Sequence, residues 1–172
     1  MTDMNFRYAG IIKDDVVNGK GFRYTLFFQG CKVGCPGCQN PGTWDFSGGK
    51  PFTAKDYKDM MEYLAQDYVS GLSLTGGNPL DSPEATLFLV RNVKQEFPEK
   101  NIWLWTGYTW ENLIERDDET VNSILHYIDV LIDGPYVEKL RDTSLAFRGS
   151  SNQRIIDVQH TTDPAKPAIL NL

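Results

Sequence analysis

Histidine is almost missing from this chain, with 2 in 172 residues, His126 and His160. Both lie far from the cysteines, so a closed four-ligand zinc site needs a distant residue brought in by the fold. Cysteine is scarce too, at 3. That excludes the disulfide framework of a small secreted domain. Basic residues number 17 against 23 acidic, a net charge of −6 and a pI of about 4.9. Nucleic acid and anionic membrane surfaces reward a basic stripe, and the sequence has none. No apolar run approaches the ~18–20 residues that span a bilayer. The opening Met1-Thr2-Asp3-Met4-Asn5 has neither the basic flank nor the apolar core of a secretory signal, so a cytoplasmic protein is expected. Internal repeats and low-complexity segments are absent.

The 41% hydrophobic and 23% charged fractions are those of a folded globular protein. At ~100–200 residues per domain, one domain is expected, over residues 1–160, with a tail at 161–172 marked by Pro164 and Pro167. A complete eight-fold β/α barrel usually needs ~200–250 residues, so this chain is too short for one.

Strand and helix signals alternate. Phe22-Arg23-Tyr24-Thr25-Leu26-Phe27-Phe28 is rich in aromatic and β-branched residues and reads as a strand. Thr53 caps a helix running to about Asp67. Gly71–Thr75 reads as a second strand, ending in Gly76-Gly77-Asn78-Pro79. Ser82, as cap, and Pro83 open a helix that Pro98 stops. Asn101–Thr106 and Asp129–Asp133 are further strands, and Ile155–Val158 a short one. Between them a helical stretch from Trp110 to Tyr127 breaks at the acidic corner Asp117-Asp118-Glu119. Such alternation predicts an α/β fold: an open, incomplete β/α barrel with a mostly parallel, curved sheet of about five strands. The loops at the carboxyl ends of its strands should share one edge.

All three cysteines fall within one loop after the first of these strands, as Cys31-x3-Cys35-x2-Cys38. Thiolates so close repel unless a cation neutralises them, which points to metal. Four-iron clusters take one ligand per iron. Three cysteines would leave one iron open, as catalytic metal sites require. Gly34, Pro36 and Gly37 let the loop wrap closely around a bulky group. The other metal reading is a zinc-binding interaction module with His126 as the fourth ligand.

The cysteine spacing, with Gly76-Gly77-Asn78-Pro79 after the next strand, resembles the radical S-adenosylmethionine enzymes. The resemblance implies a [4Fe-4S] cluster on Cys31, Cys35 and Cys38, with S-adenosyl-L-methionine chelated at the open iron. Reductive cleavage there gives methionine and a 5′-deoxyadenosyl radical. Gly76, Gly77 and Asn78 would meet the methionine amino group. Asn78 stands where the family carries an acid, so the contact lacks a charge. Gly37 stands where many members carry an aromatic residue, leaving its backbone and Gln39 to meet the adenine. Tyr24, Trp44 and Trp105 are alternative stacking partners. Thr106 is suited to the ribose. Asp133 either binds a cation or orients substrate in catalysis, or it caps a turn.

Val16-Val17-Asn18-Gly19, Trp103-Leu104-Trp105-Thr106-Gly107-Tyr108, Val130–Gly134 and Arg148-Gly149-Ser150-Ser151-Asn152-Gln153-Arg154 narrow the resemblance. Together they resemble the activating proteins of anaerobic (class III) ribonucleoside-triphosphate reductase. That implies an oxidoreductase whose substrate is a glycine Cα of the reductase, its partner protein. It also implies a low-potential electron donor such as flavodoxin or ferredoxin. Arg141, Arg148 and Arg154 are candidate partner contacts. A small radical enzyme acting on a free small molecule is the alternative within enzymes.

Overall fold

In the computed structural model, which describes residues 4–172, eight strands form one sheet in the order β3-β1-β2-β4-β5-β6-β7-β8. They are β1 (Arg7–Asp15), β2 (Phe22–Phe28), β3 (Lys50–Pro51), β4 (Val69–Gly76), β5 (Asn101–Trp105), β6 (Val130–Asp133), β7 (Arg154–Asp157) and β8 (Ala168–Ile169). Four helices connect them: α1 (Ala54–Leu64), α2 (Pro83–Glu96), α3 (Trp110–Arg116) and α4 (Glu119–Tyr127).

The expectation of a mostly parallel sheet needs correction. Only β2, β4, β5 and β6 run parallel. β1 and β3 on one side, and β7 and β8 on the other, pair antiparallel. The reason lies in the connections. Parallel neighbours need a crossover of a dozen or more residues, usually helical. A short turn joins β1 to β2, and a loop with no α-helix joins β6 to β7, so both pairs fold back on themselves. The strand β1 carries no clean alternation: only Asp15 is fully buried, and the register slips twice along β2. That is why the sequence does not announce it.

Period-2 alternation divides the sheet into two faces. Leu26, Leu74, Leu104, Leu131 and Ile156 are neighbours across five strands and are all 0% exposed. The helices pack on this face through Met60 and Leu64, Leu89 and Val93, Leu113, and Ile124. Its opposite face carries Thr25, Ser73, Trp103 and Val130 in register, with Arg23 two residues before Thr25 on the same face. Among the described residues, no helix packs on that face. The β1–β2 turn folds over it, with Asp15 accepting from the backbone N–H groups of Val17 and Asn18.

Local signals behave as their chemistry requires, with one exception. Thr53 and Asp56 form a reciprocal capping box on α1. Asp117 turns left-handed at φ 47°, and the Asp118 side chain caps α4 through Val121 N–H at 2.9 Å. Ser82, expected as a side-chain cap, makes no such bond, and Pro83 at the first position fixes the start of α2 instead. The last residues pack against the sheet edge: Ala168–Ile169 pair with β7, and Trp110 Nε1 donates to Pro164 O at 2.8 Å.

Arg23 anchors the face under the β1–β2 turn and is 0% exposed. Its guanidinium donates to Ser73 Oγ (2.6 Å), Asn101 Oδ1 (2.7 Å), Leu72 O (2.8 Å), Lys20 O (3.0 Å) and Asn101 O (3.2 Å). It also lies 5.5 Å from the Trp103 ring centroid. Burial pulls its pKa down to about 10, against the pull of Asp129 and Asp15. Replacement strands these acceptors, each of which costs about 1–3 kcal/mol when unpaired. Arg23→Leu should therefore lower stability by about 3 kcal/mol in urea denaturation. Arg23→Lys should recover little, since an ammonium lacks the fork. An unchanged midpoint in Arg23→Leu would show that the face needs no such anchor.

Candidate active site

Because β2, β4, β5 and β6 are parallel, the loops after them emerge at one edge. They surround a cavity of about 360 Å³, within the range of small-ligand sites. Cys31, Cys35 and Cys38 line it from the loop after β2, Gly76 and Gly77 from the end of β4, and Thr106 from the end of β5.

Backbone hydrogen bonds lock the first two of these loops together. Gly77 N–H donates to Phe28 O at 2.8 Å and Asn78 N–H to Gly30 O at 2.9 Å. A Cβ on Gly77 would sit 2.3 Å from Gly30 O, so only glycine permits the approach. On the other side Gly30 N–H and Cys31 N–H donate to Thr43 O and Trp44 O. The Gln29 side chain holds the same returning segment through Gly42 O and Asp45 O.

The three thiols are free and half-buried. Burial pushes the Cys35 thiol up, the Tyr136 backbone N–H opposes this, and Cys31 and Cys38 push it up further. Asn40 N–H points at Cys38 Sγ, 3.3 Å away. These thiols thus crowd one another and have N–H donors aimed at sulfur, conditions suited to metal-bound thiolates. The histidine that a zinc site would need is elsewhere. His126 borders a separate cavity with Leu87, Arg91, Ser123 and Tyr127, and His160 pairs with Asp157 at 2.9 Å. Among the described residues, no three His, Cys, Asp or Glu side chains are grouped to hold a single metal ion.

The family described as "4Fe-4S single cluster domain" matches residues 17–156. The anaerobic ribonucleoside-triphosphate reductase-activating protein of Enterobacteria phage T4 is 44% identical, over 86% of this chain and 92% of its own. Its namesake in Pasteurella multocida (strain Pm70) is 43% identical, over 86% of this chain and 95% of its own. In Escherichia coli (strain K12) the figures are 42%, 81% and 90%. The chain belongs to the anaerobic ribonucleoside-triphosphate reductase-activating protein family. Among solved structures, QueE from Escherichia coli matches at a TM-score of 0.43 and 18% identity, over 62% of this chain and 54% of its own.

In this member of the family, Cys31, Cys35, Cys38, Gln39, Gly76, Gly77 and Thr106 line the cavity. Gly37, Asn78 and Asp133 do not. Gly37 has φ +77°, and the space for its Cβ is taken by the Glu138 carboxylate, 2.4 Å away. Asn78 Oδ1 accepts from Thr106 Oγ1 at 2.9 Å, which ties the ends of β4 and β5. Asp133 is 1% exposed and fully engaged. It accepts from Trp110 N–H at the start of α3 and from Arg154 Nε and Nη2. Arg154 in turn pairs with Glu111, whose carboxyl it holds below the usual range. Of the aromatic candidates, Trp44 and Trp105 line the cavity, whereas Tyr24 is buried on the helix-covered face.

Two features were not legible beforehand. Asp81 is a hub: its carboxylate accepts from Lys32 N–H (2.7 Å), Asn78 Nδ2 (3.1 Å) and Tyr108 Oη (2.5 Å). Pro79 opens a 3-10 turn, in which residues three apart eclipse. That brings Asp81 back onto Asn78. The second feature is a clasp in Arg148–Arg154. Gln153 Oε1 accepts from Gly149 and Ser150 N–H, its Nε2 donates to Gly134 O, and Asn152 Nδ2 donates to Pro135 O. This motif folds a wall of the cavity, and Arg148 faces the cavity from it.

Asp81→Ala strands three donors around the cysteine loop. We expect a loss of about 2 kcal/mol, and less iron retained per chain after anaerobic reconstitution. Iron retention equal to the parent's would mean that the loop holds its shape without Asp81.

Proposed function

We propose that this chain generates the glycyl radical of anaerobic ribonucleoside-triphosphate reductase. The observation that carries this reading is the convergence of Cys31, Cys35 and Cys38 with the Gly76-Gly77 turn on one cavity, in a chain of the activating-protein family. The donor set suits a four-iron cluster: three thiols from one loop that line the cavity, with no histidine beside them among the described residues. When bound, the cluster and S-adenosyl-L-methionine supply one-electron reductive cleavage of a carbon–sulfur bond, the source of a hydrogen-abstracting radical.

The protein's own part is binding, orientation and exclusion of water. Cys31, Cys35 and Cys38 hold the metal as thiolates, eased by the N–H groups of Asn40 and Tyr136. Gly76 and Gly77 bring backbone carbonyls to a ligand ammonium, and Gln39 and Thr106 offer polar atoms to its nucleoside. Arg148 adds donors: its Nη1 is bonded to Gln153 O, while its buried Nε has no partner among the described residues. Gly37, Asn78 and Asp133 act by position. Gly37 leaves room for Glu138, Asn78 orients the Thr106 hydroxyl, and Asp133 fixes α3 and Arg154. The sheet stays open at its edges, giving a polypeptide loop a lateral approach as in an incomplete barrel. Residues 1–160 are the radical domain and 161–172 an extension on it.

A reducing cytoplasm suits three free thiols. Among the described residues, no helix is long and apolar enough to cross a membrane.

Reconstituted anaerobically and reduced, the protein should form 5′-deoxyadenosine and methionine from S-adenosyl-L-methionine. With the reductase present, a glycyl-radical electron paramagnetic resonance signal should appear. Cys35→Ala should lose both. Cleavage that never produces a radical on the reductase would favour a free small-molecule substrate instead. A colourless protein holding zinc would end the radical reading.

A further inference from the structure

The segment that ends β4 reads Gly76-Gly77-Asn78-Pro79-Leu80-Asp81, with an amide and not an acid after the two glycines. The acid comes three residues later. The 3-10 turn Pro79–Asp81 brings it back, so that the Asp81 carboxylate lies 3.1 Å from Asn78 Nδ2. That contact fixes the direction of the protons beyond it. A carboxylate only accepts, so the Asn78 amide turns its NH2 toward Asp81 and its Oδ1 away. Oδ1 also only accepts, so the Thr106 hydroxyl gives it a proton, at 2.9 Å. Asn78 and Thr106 are 1% and 4% exposed, which leaves solvent little access to this chain of bonds.

Thr106 lines the cavity together with Gly76 and Gly77. Its proton is committed to Asn78, and the Tyr108 N–H takes one lone pair at 3.2 Å. What its hydroxyl has left for a ligand is an acceptor. The negative charge behind it is not neutralised by any contact. Asp81 accepts from Lys32 N–H, Asn78 Nδ2 and Tyr108 Oη, all uncharged groups. Among the described residues, no salt bridge engages Asp81. Arg116 stands over the Tyr108 ring, 4.1 Å from its centroid, without pairing with the carboxylate.

We propose that Asp81 is a positioning residue for a cationic donor in the cavity, an ammonium group. Through Asn78 it presents the Thr106 hydroxyl as an acceptor, and it supplies the negative charge that the amide at position 78 does not carry. The inference rests on the reading of the Gly76-Gly77 turn as the ammonium site of S-adenosyl-L-methionine, and deepens it. A charge held one side chain away still attracts its ligand, because buried groups between them screen it weakly. A neutral donor would gain the acceptor and not the charge.

The test keeps the reconstituted full-length protein oxidised, so that S-adenosyl-L-methionine binds without being cleaved. Affinity is read by equilibrium dialysis. The second probe is the analogue whose amino group is replaced by hydrogen. Asp81→Asn keeps an acceptor for Lys32 and Tyr108 but removes the charge. It should weaken S-adenosyl-L-methionine about tenfold and leave the affinity of the analogue unchanged. The exchange Asn78→Asp/Asp81→Asn keeps the hydrogen bond between the two positions and moves the charge along it. It should return the affinity for S-adenosyl-L-methionine to within about twofold of the parent's, at equal iron per chain. Parent-like affinity in Asp81→Asn would overturn the proposal. So would an equal loss for both probes, or an exchange that restores nothing, since each places Asp81 among groups that only shape the loop. If the parent binds neither probe, it is the reading of the cavity as the cofactor site that fails, and the inference falls with it.

Discussion

The catalytic edge depends on two backbones passing almost in contact. Gly77 lies against Gly30 so closely that a single Cβ would collide with the carbonyl. Their hydrogen bonds join the end of β4 to the residue before Cys31. Once that approach is made, the cysteine loop and the Gly-Gly turn form one structure, and Asp81 ties it further by accepting from Lys32 and Asn78. The parallel register of β2 and β4 sets the two glycines at the same height.

Polar groups are buried where the sheet needs shape rather than grease. One face is closed by leucines and isoleucines under the helices. The other is held by Arg23, whose five hydrogen bonds gather β2, β4, β5 and the β1–β2 turn. At the far end of the site, Asp133 does comparable work with Arg154 and the start of α3. Both networks are satisfied by several partners, which is the condition under which buried charge is tolerated. They leave the cavity lined by groups that can meet a ligand.

Much of this was legible in particular residues. The cysteine spacing, the strand Phe22–Phe28 and the Gly-Gly turn are local chemistry, and they fall where their sequence places them. The acidic corner at Asp117 and Asp118 breaks the helical stretch as its composition requires. The antiparallel flanks escaped notice because β1 is half-exposed and bulged, and β3 and β8 are two residues each. Such strands exist only through their neighbours. Asp133 was read as ligand-facing because it ends a strand, and Asn78 because its segment resembles the Gly-Gly-acid-Pro turn of the family. Whether a strand-end side chain turns inward is settled by what competes for it, here Arg154 and Thr106.

The sequence by itself determined the chemistry: three thiols in one tight loop, glycines where backbones must approach, and apolar periods long enough to build an α/β sheet. These are set by covalent spacing and local conformational preference, which need no partner. The tertiary structure alone decided which groups face the cavity and how the Arg148–Arg154 segment becomes its wall. Those outcomes depend on contacts between separate segments of the chain, as where Lys32 meets Asp81, Gly37 meets Glu138 and Gln153 meets Gly134, which compete for the same donors, acceptors and space.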